Sequence, residues 1–237
     1  MSRDLSRRHR QPEVMDSGGL SDSELTKTLD GLSLVNSITM SLRIIWPDVV
    51  ATARRHPGRP VRILDVAAGG GDMLVRLHRR AKRRNLPIEL YGCDVSPVAL
   101  AHASAAAEVV RASIGFFRHD ASRDPLPEGY DMIMSSLFLH HLEEKEAIEF
   151  LREAAARARD RVVIHDLVRS RSSFWFAKLG TSVLLLNKIC REDGERSVEG
   201  AFTRGEAAAL AVRAGLNDAH VEARFPFRFL LRWVRPA

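Results

Sequence analysis

The sequence predicts an α/β fold: a doubly wound, mostly parallel sheet of seven strands, with N-terminal helices and a helical insert forming a lid. Three observations predict it. Short, nearly continuous apolar runs alternate with helical patterns from residue 61 to residue 165, and such alternation builds right-handed crossovers and a parallel sheet covered on both faces. The first run passes directly into a glycine-rich turn, Ala67-Ala68-Gly69-Gly70-Gly71, that opens a helix. The last two runs lie on either side of Pro226 and read as an antiparallel edge.

The elements follow in order. Residues 22–56 are helical in pattern, with Leu25, Leu29, Leu32, Val35, Ile38, Leu42, Ile45 and Val49 recurring every three or four positions. Ser21 or Asp22 can cap the start, and Pro47 is expected to begin a second helix. The breakers His56-Pro57-Gly58-Arg59-Pro60 form a linker. Strands are expected at 61–66, 88–93, 114–119, 130–135, 161–165, 219–224 and 227–233, and helices at 72–84, 97–112, 143–159 and 203–214. Thr203 and Glu206 form a capping box and Gly215 stops that helix. An apolar insert, 171–192, follows the fifth strand. The expected division is a disordered basic tail over 1–20, a helical cap over 21–58, and a main domain over 59–237.

The chain has 237 residues, 45% hydrophobic and 28% charged, with a net charge of +6. That suits one globular domain with a substantial core. Cys93 and Cys190 are too few for a disulfide framework or a zinc site and fit a reducing, cytoplasmic setting. The N-terminus has basic residues but no apolar run behind them, and no stretch is apolar enough to span a membrane. The arginine-rich stretch 76–85 falls on one predicted helix as a solvated face, and no aromatic residues interleave with it to stack bases. These features argue against a nucleic-acid partner.

In an open parallel sheet the ligand lies beyond the carboxyl ends of the strands, at the switch point. The glycines let backbone N–H groups approach it, and the following helix presents its positive N-terminus. The ligand is not a dinucleotide, because Leu74 stands where that fingerprint needs glycine or alanine. No Gly-Lys-Ser/Thr follows, so it is not a phosphate loop either. Asp65 and Asp72 bracket the turn; paired carboxylates repel a pyrophosphate and suit a cation. Asp94 closes the second strand, where a carboxylate can accept ribose hydroxyls.

These motifs resemble the class I S-adenosylmethionine-dependent methyltransferases. The first is Leu64-Asp65-Val66-Ala67-Ala68-Gly69-Gly70-Gly71, with Ala67 where the family has its first glycine. Asp94-Val95 follows the second strand, Asp120-Ala121 the third, and Tyr130 to Leu142 matches the family's fourth-strand segment. The resemblance spans residues 60–168 and implies a Rossmann-like methyltransferase fold. It implies cofactor contacts at Asp65, Ala67, Gly69, Gly71, Asp94, Val95, Asp120, Ala121 and Ser135, with Leu137 near the methyl donor. Residues 162–171 and 197–216 resemble small-molecule enzymes of the ubiquinone or polyketide-tailoring type in secondary metabolism.

The expected reaction is O-methylation of a small, hydrophobic or aromatic phenolic or polyketide-type acceptor. A histidine can take the acceptor's proton; the candidates are His140, His141 and a His165–Asp166 dyad. In-line transfer needs mainly alignment, so a base need not be used. Too few acids stand at the fourth and fifth strand ends for a catechol-type metal site, so no metal is expected. Phe174, Trp175, Phe176, Leu179, Leu184 and Leu185 are candidate pocket walls, and Asn36 and Arg43 candidates to reach the cofactor or substrate from the cap. The rival readings are a nucleic-acid or protein methyltransferase and a cofactor-binding, non-catalytic partner subunit. A homodimer is also considered.

Overall fold

The computed structural model describes residues 4–16, 19–184 and 186–236. Its strands are β1 (Val61–Val66), β2 (Ile88–Asp94), β3 (Ile114–Arg118), β4 (Met132–Ser136), β5 (Arg161–Leu167), β6 (His220–Arg224) and β7 (Arg228–Val234). They form one seven-stranded sheet in the order β3-β2-β1-β4-β5-β7-β6. β1 to β5 pair in parallel, while β7 runs antiparallel to both β5 and β6. The strand order reverses between β1 and β4, so the expected doubly wound sheet has its switch point at the glycine turn.

Helices cover both faces: α1 (Asp22–Ile38), α2 (Ser41–Arg55), α3 (Asp72–Arg83), α4 (Pro97–Val109), α5 (Glu144–Arg157), α6 (Arg171–Val183), α7 (Lys188–Gly200) and α8 (Arg204–Arg213). Side chains alternate along each strand. Ile63, Met132, Met134, Val163 and Leu230 therefore meet Ile45 and Val49 of α2 and Met73, Leu74 and Leu77 of α3 on one face. Leu64, Val66, Ile133, Ile164, Phe229 and Leu231 meet Leu151 of α5 and Leu210 of α8 on the other. Burying each such side chain contributes about 1.5–3 kcal/mol, so both layers hold the strand ends that carry the site.

The structure corrects three expectations. The helical cap breaks at Thr39–Met40, where Met40 adopts φ 54°, and Pro47 lies inside α2. Ile45 and Val49 are wholly buried around that proline, and Asp48 is tied to Arg161 of β5 at 3.1 Å and Arg232 of β7 at 2.9 Å. These anchors carry the helix through a residue that ordinarily breaks it. The insert extends beyond residue 192: α7 starts at the N-cap Asn187 and runs to Gly200. Its charged sequence hides it, because few apolar residues mark its buried side.

The third correction concerns the basic tail, expected to be disordered. Residues 4–16 are docked. Arg8 donates to the carbonyls of Gly200 (2.6 Å), His140 (3.0 Å) and Leu142 (2.6 Å). Arg10 donates to the His141 carbonyl and to Glu143. The His9 amide bonds the Glu199 carbonyl, and Asp193 receives the Val14 and Met15 amides. Arg8 and Arg10 thus satisfy backbone carbonyls of the fold.

Candidate functional site

β1 delivers Asp65 at 2% exposure, and Asp72 opens α3 just beyond the glycine turn. One carboxylate oxygen of each is buried without a hydrogen-bond partner. Burial raises the Asp65 pKa well above the usual carboxylate range, and the charges of Asp72 and Asp94 push the same way. Burial also raises Asp72, partly offset by Arg76 and Asn36. A buried carboxyl surrounded by acids is costly alone and favourable beside a cation. Arg76 lies 3.4 Å from Asp72, whereas the Asp65 oxygen has no partner and fits an ammonium-bearing ligand. Asp94 lies beside them at the end of β2, accepting from the Gly69 amide at 2.8 Å and the Ser96 amide at 2.9 Å.

The turn is built by left-handed residues: Ala67 at φ 57°, Gly69 at 53° and Gly71 at 72°. Alanine pays roughly 1 kcal/mol for that conformation, so the departure from glycine at Ala67 is a strained one. Gly71 serves packing, since an added Cβ would lie 2.8 Å from the Ala103 Cβ and 3.2 Å from its Cα. Leu29 of α1 reaches over Gly69 and Gly70, so the cap does cover the turn. Asn36 donates to Asp72 at 3.4 Å; Arg43 bonds Met40 and, with Asn36, lines an open groove beside α3.

Other expected cofactor contacts fall differently. Ser135 is fully buried and donates to the Val66 carbonyl at 2.8 Å, so its hydroxyl bridges β1 and β4. Asp120 caps its own turn through the Ser122 amide and hydroxyl, which lower its pKa. Val95 is exposed, and Ala121 packs half-buried against the core. Leu137 takes φ 59° directly after β4.

The histidines are redistributed. His165 and Asp166 are neighbours in β5 and point to opposite faces, so the expected dyad does not form. Asp166 instead meets His140 Nδ1 at 2.6 Å, and Glu13 from the docked N-terminal segment lies 3.4 Å from His140 Nε2. Burial alone would lower the His140 pKa, but the two carboxylates raise it to about 10. His140 is therefore an imidazolium clamped between acids. His141 is 3.8 Å from Glu13. Glu13, His140 and His141 place donor atoms within 4.8 Å of one another, the described residues' one trio that close, beside a cavity of about 80 Å³. Glu13 was not legible as part of any site, because its partners lie over a hundred residues away.

On the face that carries Asp65, the sequence reading missed Ser136 and Arg228. A serine among apolar strand residues and an arginine opening the run Arg228-Phe229-Leu230-Leu231 were the available signals. Of the expected pocket walls, Phe174 is buried, Trp175, Phe176 and Leu179 are exposed, and Leu185 lies outside the described residues. The arginines of α3, with Arg43, line an open groove of about 770 Å³. Among the described residues no helix is long and apolar enough to cross a membrane.

Residues 63–161 match the model of a methyltransferase domain family. Among curated proteins no sequence matches the chain. Among solved structures, magnesium protoporphyrin IX methyltransferase (ChlM) from Synechocystis PCC 6803 with bound S-adenosylmethionine is similar at 15% identity and TM-score 0.55, over 83% of this chain and 80% of that one. The S-adenosylmethionine-dependent methyltransferase SibL is similar at 16% identity and TM-score 0.61, over 85% of this chain and 56% of that one. LepI in complex with S-adenosylmethionine is similar at 21% identity and TM-score 0.54, over 76% of this chain and 44% of that one. The chain thus spans about half the length of SibL and LepI. Residues 63–161 thus resemble a methyltransferase domain, and the sheet order and the solved structures share one fold.

Proposed function

We propose that this chain transfers a methyl group from S-adenosylmethionine to an oxygen of a small, largely apolar acceptor of the phenolic or polyketide type. The observation that carries the reading is the buried Asp65 carboxylate, one oxygen of which has no partner, beside the left-handed turn and next to Asp72. In this reading Asp65 and Asp72 hold the cofactor's ammonium, Asp94 its ribose hydroxyls, and Asp120 with Ala121 and Val95 border the adenine. When bound, the cofactor supplies an electrophilic methyl on a sulfonium.

The chain's own work is alignment and exclusion of water. The cap helix α1 closes over Gly69 and Gly70 through Leu29, and a dry, oriented encounter is worth many kcal/mol in a displacement. His140 does not serve as general base, because an imidazolium held by Asp166 and Glu13 has no free lone pair. Those residues position the loop after β4: Asp166 also accepts the His140 amide at 3.2 Å. His165 faces the Asp65 side of the sheet but burial, helped by Arg228, lowers its pKa to about 3, too low for efficient proton abstraction at neutral pH. An acidic phenol or enol already ionised near neutrality suits such a site.

The test is calorimetry with S-adenosylhomocysteine followed by a mass-spectrometric screen of phenolic, quinone and polyketide acceptors. Asp94→Ala is expected to weaken cofactor binding about tenfold or more through lost charge-assisted hydrogen bonds. Unchanged affinity would remove the ribose role, and a methylated RNA or protein in place of a small molecule would replace the acceptor class.

A further inference from the structure

The register of the sheet places four polar side chains on one face at the carboxyl edge. Asp65 aligns with Met134 of β4, two residues before Ser136, and Ser136 aligns with His165 of β5. His165 aligns with Leu230 and Leu167 with Arg228 of β7. Because side chains alternate, Asp65, Ser136, His165 and Arg228 all project from the same face. The distance from β1 to β7 is three strand spacings, about 14 Å.

Each of the four has orphaned polar atoms: Asp65 Oδ1, Ser136 Oγ, both ring nitrogens of His165, and Nε and Nη1 of Arg228. Arg228 is 4% exposed and His165 wholly buried. A buried guanidinium without a counter-ion is costly. Asp166 acts on Arg228 only through space; its side chain points to the other face and is held by His140. Burial brings the Arg228 pKa down to about 10, so the group remains cationic at neutral pH, and two of its nitrogens have no hydrogen-bond partner. The row is dipolar, with Asp65 at the β1 end and a cation without a hydrogen-bonded counter-ion at the β7 end.

We infer that Arg228, with His165 and Ser136 beside it, forms a buried subsite for a carboxylate carried by the methyl acceptor. The inference rests on the methyl-transfer reading for the acceptor's place and extends it to the acceptor's charge. Asp65 at one end takes the cofactor's ammonium, and the acceptor lies across β4 and β5 with its anionic group on the guanidinium. The Leu137 amide bonds the His165 carbonyl at 2.9 Å, so this subsite and the segment after β4 are built as one unit. Arg228 is a binding residue in this scheme, and an arginine fork suits a carboxylate better than a lysine would.

The experiment uses two probes matched except for charge, 2-naphthoate and 2-naphthamide, titrated into the full chain loaded with S-adenosylhomocysteine. Wild type is expected to bind naphthoate at least about tenfold more tightly than naphthamide. Arg228→Gln should erase that preference and Arg228→Lys keep part of it, while S-adenosylhomocysteine affinity stays within about twofold in both. Equal binding of the two probes by wild type would overturn the inference without reference to any variant. A parallel loss of S-adenosylhomocysteine binding in Arg228→Gln would assign the guanidinium to the cofactor's own carboxylate and overturn it too. If S-adenosylhomocysteine does not bind wild type, the methyl-transfer reading fails, and the same probe pair on the ligand-free chain tests the subsite separately.

Discussion

Replacing Asp65 by asparagine should move stability and cofactor affinity in opposite directions. In the ligand-free chain the Asp65 carboxyl is buried near Asp72 and Asp94, which raises its pKa well above the ordinary value of 3.8. A raised carboxyl pKa means the folded state binds the proton more tightly. Its contribution to stability is then fully present below about pH 4 and is lost as pH rises through the folded-state value. Each unit of elevation withdraws about 1.4 kcal/mol at neutral pH. Asparagine carries no charge and so removes the repulsion from Asp72 and Asp94. The Asp65→Asn variant should therefore melt no lower than wild type at pH 7.5, with a gap in its favour that widens as pH rises from about 4. It should also lose the charged partner of the cofactor's ammonium, about 1.5–3 kcal/mol or ten- to a hundredfold in affinity. Thermal denaturation against pH and calorimetry with S-adenosylhomocysteine read the two effects. A variant less stable than wild type at every pH, with unchanged cofactor affinity, would refute the reasoning.

Gly71→Ala should lower stability by about 2 kcal/mol or more, because φ is 72° and the new methyl meets Ala103 of α4; a denaturation midpoint equal to wild type would show that α4 yields freely. The Glu13–His140–Asp166 cluster sets a different pH window. His140 has a folded pKa of about 10 against 6.5 when unfolded, so its contribution, of order a few kcal/mol, is complete below about pH 6.5 and lost as pH rises toward 10. Glu13→Gln should weaken that decline, and identical alkaline profiles for variant and wild type would count against the clamp.

What the sequence made legible was what local pattern encodes. Apolar runs ending in Asp65 and Asp94, the glycine turn and the Thr203–Glu206 capping box all form as read, because each depends on residues a few positions apart. Ala67 could be noticed as a departure from glycine, but its left-handed strain needed the backbone. The histidines failed for a geometric reason: His165 and Asp166 are adjacent in sequence, and strand alternation sends them to opposite faces. Asp166 found His140 instead, with Glu13 arriving from the far end of the chain. The same alternation gathered Asp65, Ser136, His165 and Arg228 from four strands onto one face, a grouping that requires the strand order and register. The basic tail misled because Arg8 and Arg10 bind carbonyls of distant loops, which leave no mark in the local sequence.

The central claim is that the acids around the glycine turn seat S-adenosylmethionine. A crystal structure of the chain with S-adenosylhomocysteine tests it most directly. The account predicts the ligand's ammonium within hydrogen-bond distance of the Asp65 or Asp72 carboxylate and its ribose hydroxyls on Asp94. A ligand bound elsewhere, or turned so that its ammonium lies away from Asp65 and Asp72, would contradict it.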